Sequence, residues 1–417
     1  MTDQTNTIPK GWKMTTLGEV AEPLKFQWKP GDGDQKYIGL EHIDQGQLTI
    51  NSFGYSSELE SNKFYFKKGD ILFGKLRPYF RKVWKAKFDG VCSTDIWVLR
   101  VKENNDQNFL FYFVANPIFI DKSMGANIGT HMPRADWSFL KNTEWNIPPL
   151  PEQRVIAAVL SSFDDKIELL REQNKTLEAT AQAIFKEWFV NFNFPGADGK
   201  PYKTSGGKMI DSELGTIPEG WRVGKIKDLI DILSGFAFSS SDFSQDGEYK
   251  LVTIKNVQDR NFVFDITDKI SEIPEKMPDY CKLDSGDILL SLTGNVGRVC
   301  LVIGNDFLLN QRVAKLKSKN EMNYAFSYLL FLQDSIFYLL QSIASGTAQQ
   351  NLSPIQTKEI KIIIADRKIL DQFGMVANKL IQKINDNNSQ IQTLSKLRDT
   401  LLPKLMKGEV RVKGFND

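Results

Sequence analysis

Apolar residues recur at alternating intervals of four and three along one stretch of the chain: Ile156, Leu160, Phe163, Ile167, Leu170, then Asn174, Leu177, Ala181, Ile184 and Trp188. That spacing is the seam of a coiled-coil helix. A shift of 217 residues lands on Phe373, Ala377, Leu380, Ile384, Asn387, Ile391, Leu394, Arg398, Leu401 and Leu405, so the same stripe is written twice. Both copies carry an asparagine at the same seam position.

The doubling extends beyond the helices. "IPKGW" (8 to 12) returns as "IPEGW" (217 to 221), and "KYIGLEHI" (36 to 43) as "KLVTIKNV" (250 to 257). "KKGDILFGKLRPYFRKVW" (67 to 84) is answered by "DSGDILLSLTGNVGRVCL" (284 to 301), with Gly-Asp-Ile-Leu identical. A Gly-Thr pair at 129 and 130 recurs at 346 and 347. Within each half, runs such as "DIWVLRV" (95 to 101) and "GDILLSL" (286 to 292) are short, rich in branched and aromatic residues, and bounded by turn formers, which predicts strands. Helical stretches such as "NYAFSYLLFLQDSIFYLLQSI" (323 to 343) intervene, so each half reads as a mixed α and β unit followed by a long helix.

This gives an α+β chain with a first unit over 1–150, a helix over 151–191, a second unit over 217–365, a second helix over 366–407 and a tail over 408–417. Residues 192–216, with "NFPGADGKPYKTSGGK" (193 to 208), read as a flexible linker. A first helix of roughly 38 residues spans roughly 57 Å. The second helix is expected to run back antiparallel along it, with a pseudo-two-fold axis near residue 172. In that register Asn174 meets Asn387, Leu170 meets Ile391, Ala181 meets Leu380, Ile184 meets Ala377 and Trp188 meets Phe373. A buried asparagine pair penalises every register that separates its members, so Asn174 and Asn387 are the expected registration mark. Pro403 is expected to kink the last turn.

The 417 residues suffice for two or three domains, and hydrophobic residues at 41% with charged residues at 25% suit globular cores. No apolar run reaches the roughly 18 to 20 residues of a membrane span, and "MTDQTNTIPK" lacks the apolar stretch of a secretory signal, which predicts a cytoplasmic protein with no membrane partner. Cys92, Cys281 and Cys300 form no CxxC pair and read as buried thiols. With His42 and His131 the only histidines, no zinc site is expected. A formal charge of +2 decides nothing by itself, because a nucleic-acid binder can gather its positive charge on one face.

The chain resembles the DNA specificity subunits of type I restriction-modification systems. The resemblance rests on the order and spacing of "YIGLEHI" (37 to 43), "GTHMPRADW" (129 to 137), "PPLPEQ" (148 to 153), "IFKEWFVNF" (184 to 192), "GTIPEGW" (215 to 221), "GTAQQNLS" (346 to 353) and "RDTLLPKLMKGEV" (398 to 410). It implies two target-recognition domains separated by two antiparallel helices, each domain reading one half of a split, asymmetric site in double-stranded DNA. It also implies two methyltransferase subunits docked on the chain, joined by restriction subunits that translocate and cleave. The second half departs from the pattern where "PPLPEQ" gives way to "IIADRK" (363 to 368).

Catalytic motifs are missing. There is no Asn-Pro-Pro-Tyr or Asp-Pro-Pro-Tyr to hold a flipped base, and "SGGKM" (205 to 209) is not a phosphate loop. Asp70 and Asp287 read as turn residues. The chain is therefore expected to bind without catalysing and to hold no cofactor, with S-adenosylmethionine, ATP and magnesium belonging to partner subunits. A scaffold with two heads and only protein partners remains a second reading of the same architecture.

Sequence-specific DNA binding needs cations for phosphates and forked donors or amides for base edges. "KLRPYFRKVWKAKF" (75 to 88) has six basic residues and no acid. Read as a strand from residue 81, it sends Arg81, Lys85 and Lys87 to one face and Trp84, Ala86 and Phe88 to the other. Lys75, Arg77 and Arg81 are its expected DNA contacts, and Arg298 is the counterpart in the second half. His131 and Arg134 follow the first Gly-Thr pair, and Gln349, Gln350 and Asn351 follow the second. Gln311 and Arg312, beside Asn310, form a weaker third cluster.

Overall fold

A computed structural model describes residues 8–125, 133–264, 266–344 and 350–414. The chain divides into two compact units, one of residues 1–167 with 393–417 and the other of residues 168–392. Each long helix, Leu150–Phe185 and Arg367–Lys407, therefore gives part of its length to each unit.

In the first unit a four-stranded antiparallel sheet has the order Ala21–Leu24, Ile96–Val101, Ile71–Gly74, Val83–Lys85. In the second, Ile230–Ser234, Val313–Ser318, Ile288–Ser291 and Val299–Leu301 follow the same order. Each unit also pairs two strands in parallel, Lys36–Ile38 with Gly90–Cys92 and Tyr249–Val252 with Phe307–Leu309. The repeat in the sequence is thus a repeat of topology. Both Gly-Asp-Ile-Leu segments close the same turn. Gly69 and Gly286 take φ of 93° and 95°, a left-handed conformation that glycine adopts without a Cβ clash. The aspartate that follows is held by a cation on the neighbouring strand: Arg100 grips Asp70 at 2.8 and 2.9 Å, and Lys315 meets Asp287 at 2.6 Å.

The apolar runs fill the interiors as their spacing requires. In the first unit Phe73 stacks on Trp97 and meets Phe119 edge-on, above the buried Ile156 and Leu160 of the central helix. In the second, Phe185, Phe189, Phe326 and Phe373 pack ring against ring. Phe185 and Ile381 are buried although they lie off the four-three seam, because each helix faces both its partner helix and the sheets of its own unit.

Within the second unit the helices run antiparallel, and a step of fourteen residues along one is answered by fourteen back along the other: Asn174 meets Asn387 at 2.8 Å and the Trp188 ring lies 5.8 Å from that of Phe373. Within the first unit Arg398 contacts Asp164 at 2.6 Å, again antiparallel. Burial disfavours the Arg398 charge, but the Asp164 and Asp399 carboxylates outweigh that and hold its pKa above the ordinary value. Tyr112 donates to Asp164 at 2.6 Å, tying the sheet domain to this pair. The C-terminal helix runs on through Pro403 to Lys407.

The "PPLPEQ" segment is an anchor. Glu152 and Gln153 are fully buried. Glu152 takes both arms of Arg411, at 2.7 and 2.9 Å, and the Trp12 indole N–H at 3.0 Å. Gln153 accepts from the Asp106 amide and donates to the Pro148 carbonyl, both at 2.9 Å. The 217-residue shift that aligns the two helices places Ile369 and Leu370, rather than the Arg367 and Lys368 of "IIADRK", at those positions, and Asp366 caps the helix by accepting from the Ile369 amide at 3.0 Å.

The stretch expected to be a flexible linker is folded. Met209–Ser212 forms a hairpin with Gly215–Pro218, and Phe194 stacks between Tyr202 and Trp221 with centroids 4.6 and 5.0 Å away. Its glycines serve turns, and its few aromatics suffice to fasten it to the core of its own unit.

Candidate nucleic-acid interface

Three segments of the first unit meet beyond the end of the strand Ile71–Gly74. The Lys75 amide donates to the Asp95 carbonyl at 2.9 Å. The Ala135 amide donates to the Lys75 carbonyl and the Arg77 amide to the Pro133 carbonyl, both at 2.8 Å, so that Leu76 and Arg134 form an antiparallel bridge. The second unit repeats this frame. Leu292 donates to the Arg312 carbonyl at 3.0 Å, Leu352 donates to the Leu292 carbonyl at 2.8 Å, and Thr293 bridges Asn351.

A fourth segment braces each frame. In "GLEHI" the Gly39 amide donates to His42 Nδ1 at 2.9 Å, and in "TIKNV" the Thr253 amide donates to Asn256 Oδ1 at the same distance. From the neighbouring parallel strands, Ser93 donates to the Ile38 carbonyl at 2.9 Å and Asn310 to the Val252 carbonyl at 3.1 Å. His42 is thus a turn lock, a role that its asparagine counterpart fills equally well.

The side chains on the two frames differ. In the first unit Lys75 is half-buried, and burial, with Arg134 nearby, lowers its pKa. Arg77 sits in the left-handed region at φ 52°, ahead of the short turn Pro78–Phe80 that leaves Tyr79 exposed. Arg134, half-exposed, meets Asp95 at 2.9 Å. In the second unit the positions of Lys75, Arg77, Asp95 and Arg134 are taken by Leu292, Gly294, Arg312 and Asn351. Gln311, Arg312, Gln350 and Asn351 are all exposed. His131 and Gln349 lie outside the described residues.

Two expected contacts are engaged by their own domain. The strand runs only over Val83–Lys85, and Arg81 precedes it in a left-handed turn at φ 48°, so the strand alternation does not govern it. Its guanidinium instead donates to the Ala115 carbonyl at 3.2 Å, at the end of the helix Gln107–Ala115, and burial lowers its pKa. Arg298 lies 4.8 Å over the Phe337 ring and 3.4 Å from Asp259. The rest of the basic run behaves as expected of a strand, with Trp84 and Ala86 buried and Lys85 bonded to Asn108 on the other face.

Asp95 was not singled out by the sequence, although the 217-residue shift pairs it with Arg312 and marks a charge reversal. Glu152, Asp164 and Arg411 were likewise unmarked, because their partners lie too far along the chain to leave a periodic trace. Chemistry elsewhere is sparse. Burial pushes the Cys92 and Cys300 thiols far up, and among the described residues no group of three His, Cys, Asp or Glu side chains could hold a metal. No described helix is long and apolar enough to cross a membrane.

Comparison with known proteins agrees with the doubling. The chain is 28% identical to the type I restriction enzyme MjaIX specificity subunit of Methanocaldococcus jannaschii, over 97% of this chain and 95% of that one. It is 24% identical to the HindI specificity subunit of Haemophilus influenzae, over 96% of this chain and 99% of that one. The crystal structure of a type I restriction-modification S subunit from M. genitalium shares the fold, with a TM-score of 0.52 at 17% identity over 97% of this chain and 98% of that one. The family described as type I restriction modification DNA specificity domain matches twice, over residues 9–179 and 218–390. With one match on each half of a chain whose halves share one frame, the protein belongs to that family.

Proposed function

We propose that the chain is the DNA sequence-specificity subunit of a type I restriction-modification complex. Each target-recognition domain reads one half of a split, asymmetric site in double-stranded DNA. The helices set the spacing between half-sites and dock two methyltransferase subunits, and restriction subunits complete the assembly in the cytoplasm. Methylation with S-adenosylmethionine and cleavage driven by ATP with magnesium belong to those partners, and this chain contributes selection. The domains divide as 1–150 and 217–365, with the helices 151–191 and 366–407 between them.

The observation that carries this reading is the repeated frame with exchanged side chains. Two matching backbone bonds, Lys75 to Asp95 and Ala135 to Lys75 in one unit and Leu292 to Arg312 and Leu352 to Leu292 in the other, present Lys75, Arg77, Asp95 and Arg134 on one frame and Leu292, Gly294, Arg312 and Asn351 on its counterpart. A protein that needs one binding geometry and two different sequences is built in this way, since donor and acceptor identity at fixed positions decides which base edge is accepted. The test is selection from randomised duplexes by the full chain assembled with its methyltransferase subunits. Two unlike half-sites at a fixed separation are expected. Sequence-independent binding, or no binding, would leave a protein-only scaffold as the better description.

A further inference from the structure

We propose that Arg134 reads a guanine in the first half-site and that Asp95 is the positioning residue that aims it, an assignment that rests on the specificity function above.

The geometry separates a base reader from a phosphate contact. Arg134 is pinned by its backbone, with the bonds from Arg77 to Pro133 and from Ala135 to Lys75 on either side of it. Its guanidinium is pinned as well, with Nη2 2.9 Å from Asp95 Oδ1. Asp95 is itself fixed, because its carbonyl takes the Lys75 amide and its own amide donates to Ser93 Oγ at 3.2 Å. The Arg134 side chain is nevertheless 53% exposed.

A carboxylate at this distance is a poor companion for a phosphate contact, since it cancels most of the charge that would attract the DNA backbone. It is a good companion for a base reader. It tethers the guanidinium through Nη2 and so limits the directions in which the fork can point. A fork held in a narrow range of directions suits guanine O6 and N7, which accept two donors side by side. Lys75 and Arg77 on the same frame have no such tether in the described structure, and they are left to the phosphates. The second unit supports the division of labour: Arg312 stands where Asp95 does and Asn351 where Arg134 does, so these two positions change chemistry while the frame does not.

The test uses the full chain with its methyltransferase subunits and duplexes randomised over both half-sites. The native complex is expected to require guanine at one position of one half-site. Arg134→Gln should lose about tenfold or more of that discrimination and move toward adenine there, with the other half-site unchanged. Asp95→Asn should relax the same position while total DNA affinity holds or rises, an effect that loss of packing does not produce. Unchanged preferences in Arg134→Gln would overturn the assignment. So would a uniform loss over all sequences with the salt slope reduced by about one, which marks a phosphate contact. If Arg134→Gln selects nothing, Arg134→Lys decides: it keeps the charge without the fork, so loss of guanine supports the reading and retention overturns it. Absence of any split site in the native complex would instead overturn the specificity function itself.

Discussion

Asn387 donates through Nδ2 to Asn174 Oδ1 at 2.8 Å, and Asn174 donates in turn to Asn388 Oδ1 at 2.7 Å. Three amides thus share one level of the helix pair, where the sequence suggested two. Asn387 is fully buried, so its partner cannot be replaced by water at no cost. Asn174→Leu is expected to destabilise the chain by about 1 to 3 kcal/mol in urea unfolding. Asn174→Leu with Asn387→Leu should recover most of that and lose register selectivity, seen as a blurred separation of the selected half-sites. Neutral single variants would deny the cluster its role as a registration mark.

The anchor at the head of the central helix makes a second prediction. Glu152 is fully buried against Arg411, so Arg411→Ala leaves a carboxylate in the interior with the Trp12 N–H as its remaining side-chain donor. The expected cost is about 3 to 5 kcal/mol. Adding Glu152→Met should restore much of it, because the second unit already does without the pair: Ile369 occupies that position, and the Trp221 indole N–H there has no hydrogen-bond partner among the described residues. Urea unfolding of both variants, followed by circular dichroism, checks the order.

Arg77 sets stability against binding. It holds φ of 52°, and its counterpart is Gly294 at φ 70°. A left-handed backbone costs a side-chain-bearing residue roughly 1 to 2 kcal/mol, a strain that glycine does not carry. Arg77→Gly is therefore expected to raise thermal stability while weakening DNA binding in all sequences alike, with a shallower dependence on salt. A change confined to one base position would instead make Arg77 a base reader, for which the loss is about 1 to 3 kcal/mol.

Much of this arrangement was legible before the structure. A shift of 217 residues aligns Gly-Asp-Ile-Leu with itself and Asn174 with Asn387, because a repeat preserves the local turn and seam chemistry that pattern reading detects. Side-chain direction was less accessible. Arg81 and Arg298 are equivalent basic residues that both brace their own domain, since alternation predicts a face only inside a strand and Arg81 lies two residues outside one. Glu152 and Arg411 are 259 residues apart, and a pairing at that distance leaves no mark on composition or spacing. The glycines of 193–208 suggested a loose chain, whereas aromatic stacking on Trp221 settles that stretch.

The equivalence of Asp95 with Arg312 and of Arg134 with Asn351 permits a transplant. Both pairs sit beside matching backbone bonds, 2.9 and 3.0 Å at the first position and 2.8 Å at the second, so the exchanged side chains start from the same local backbone. Arg312→Asp with Asn351→Arg should build the first unit's tethered guanidinium on the second unit. Selection from randomised duplexes is then expected to show a new guanine preference in the second half-site, by about tenfold, with the first half-site untouched. Asn351→Arg alone places two guanidinium groups together with no carboxylate between them. It should raise affinity for DNA of any sequence and lower discrimination, because an untethered cation finds phosphates as readily as bases. Equal selectivity in the single and double variants would show that the acid does not aim the arginine.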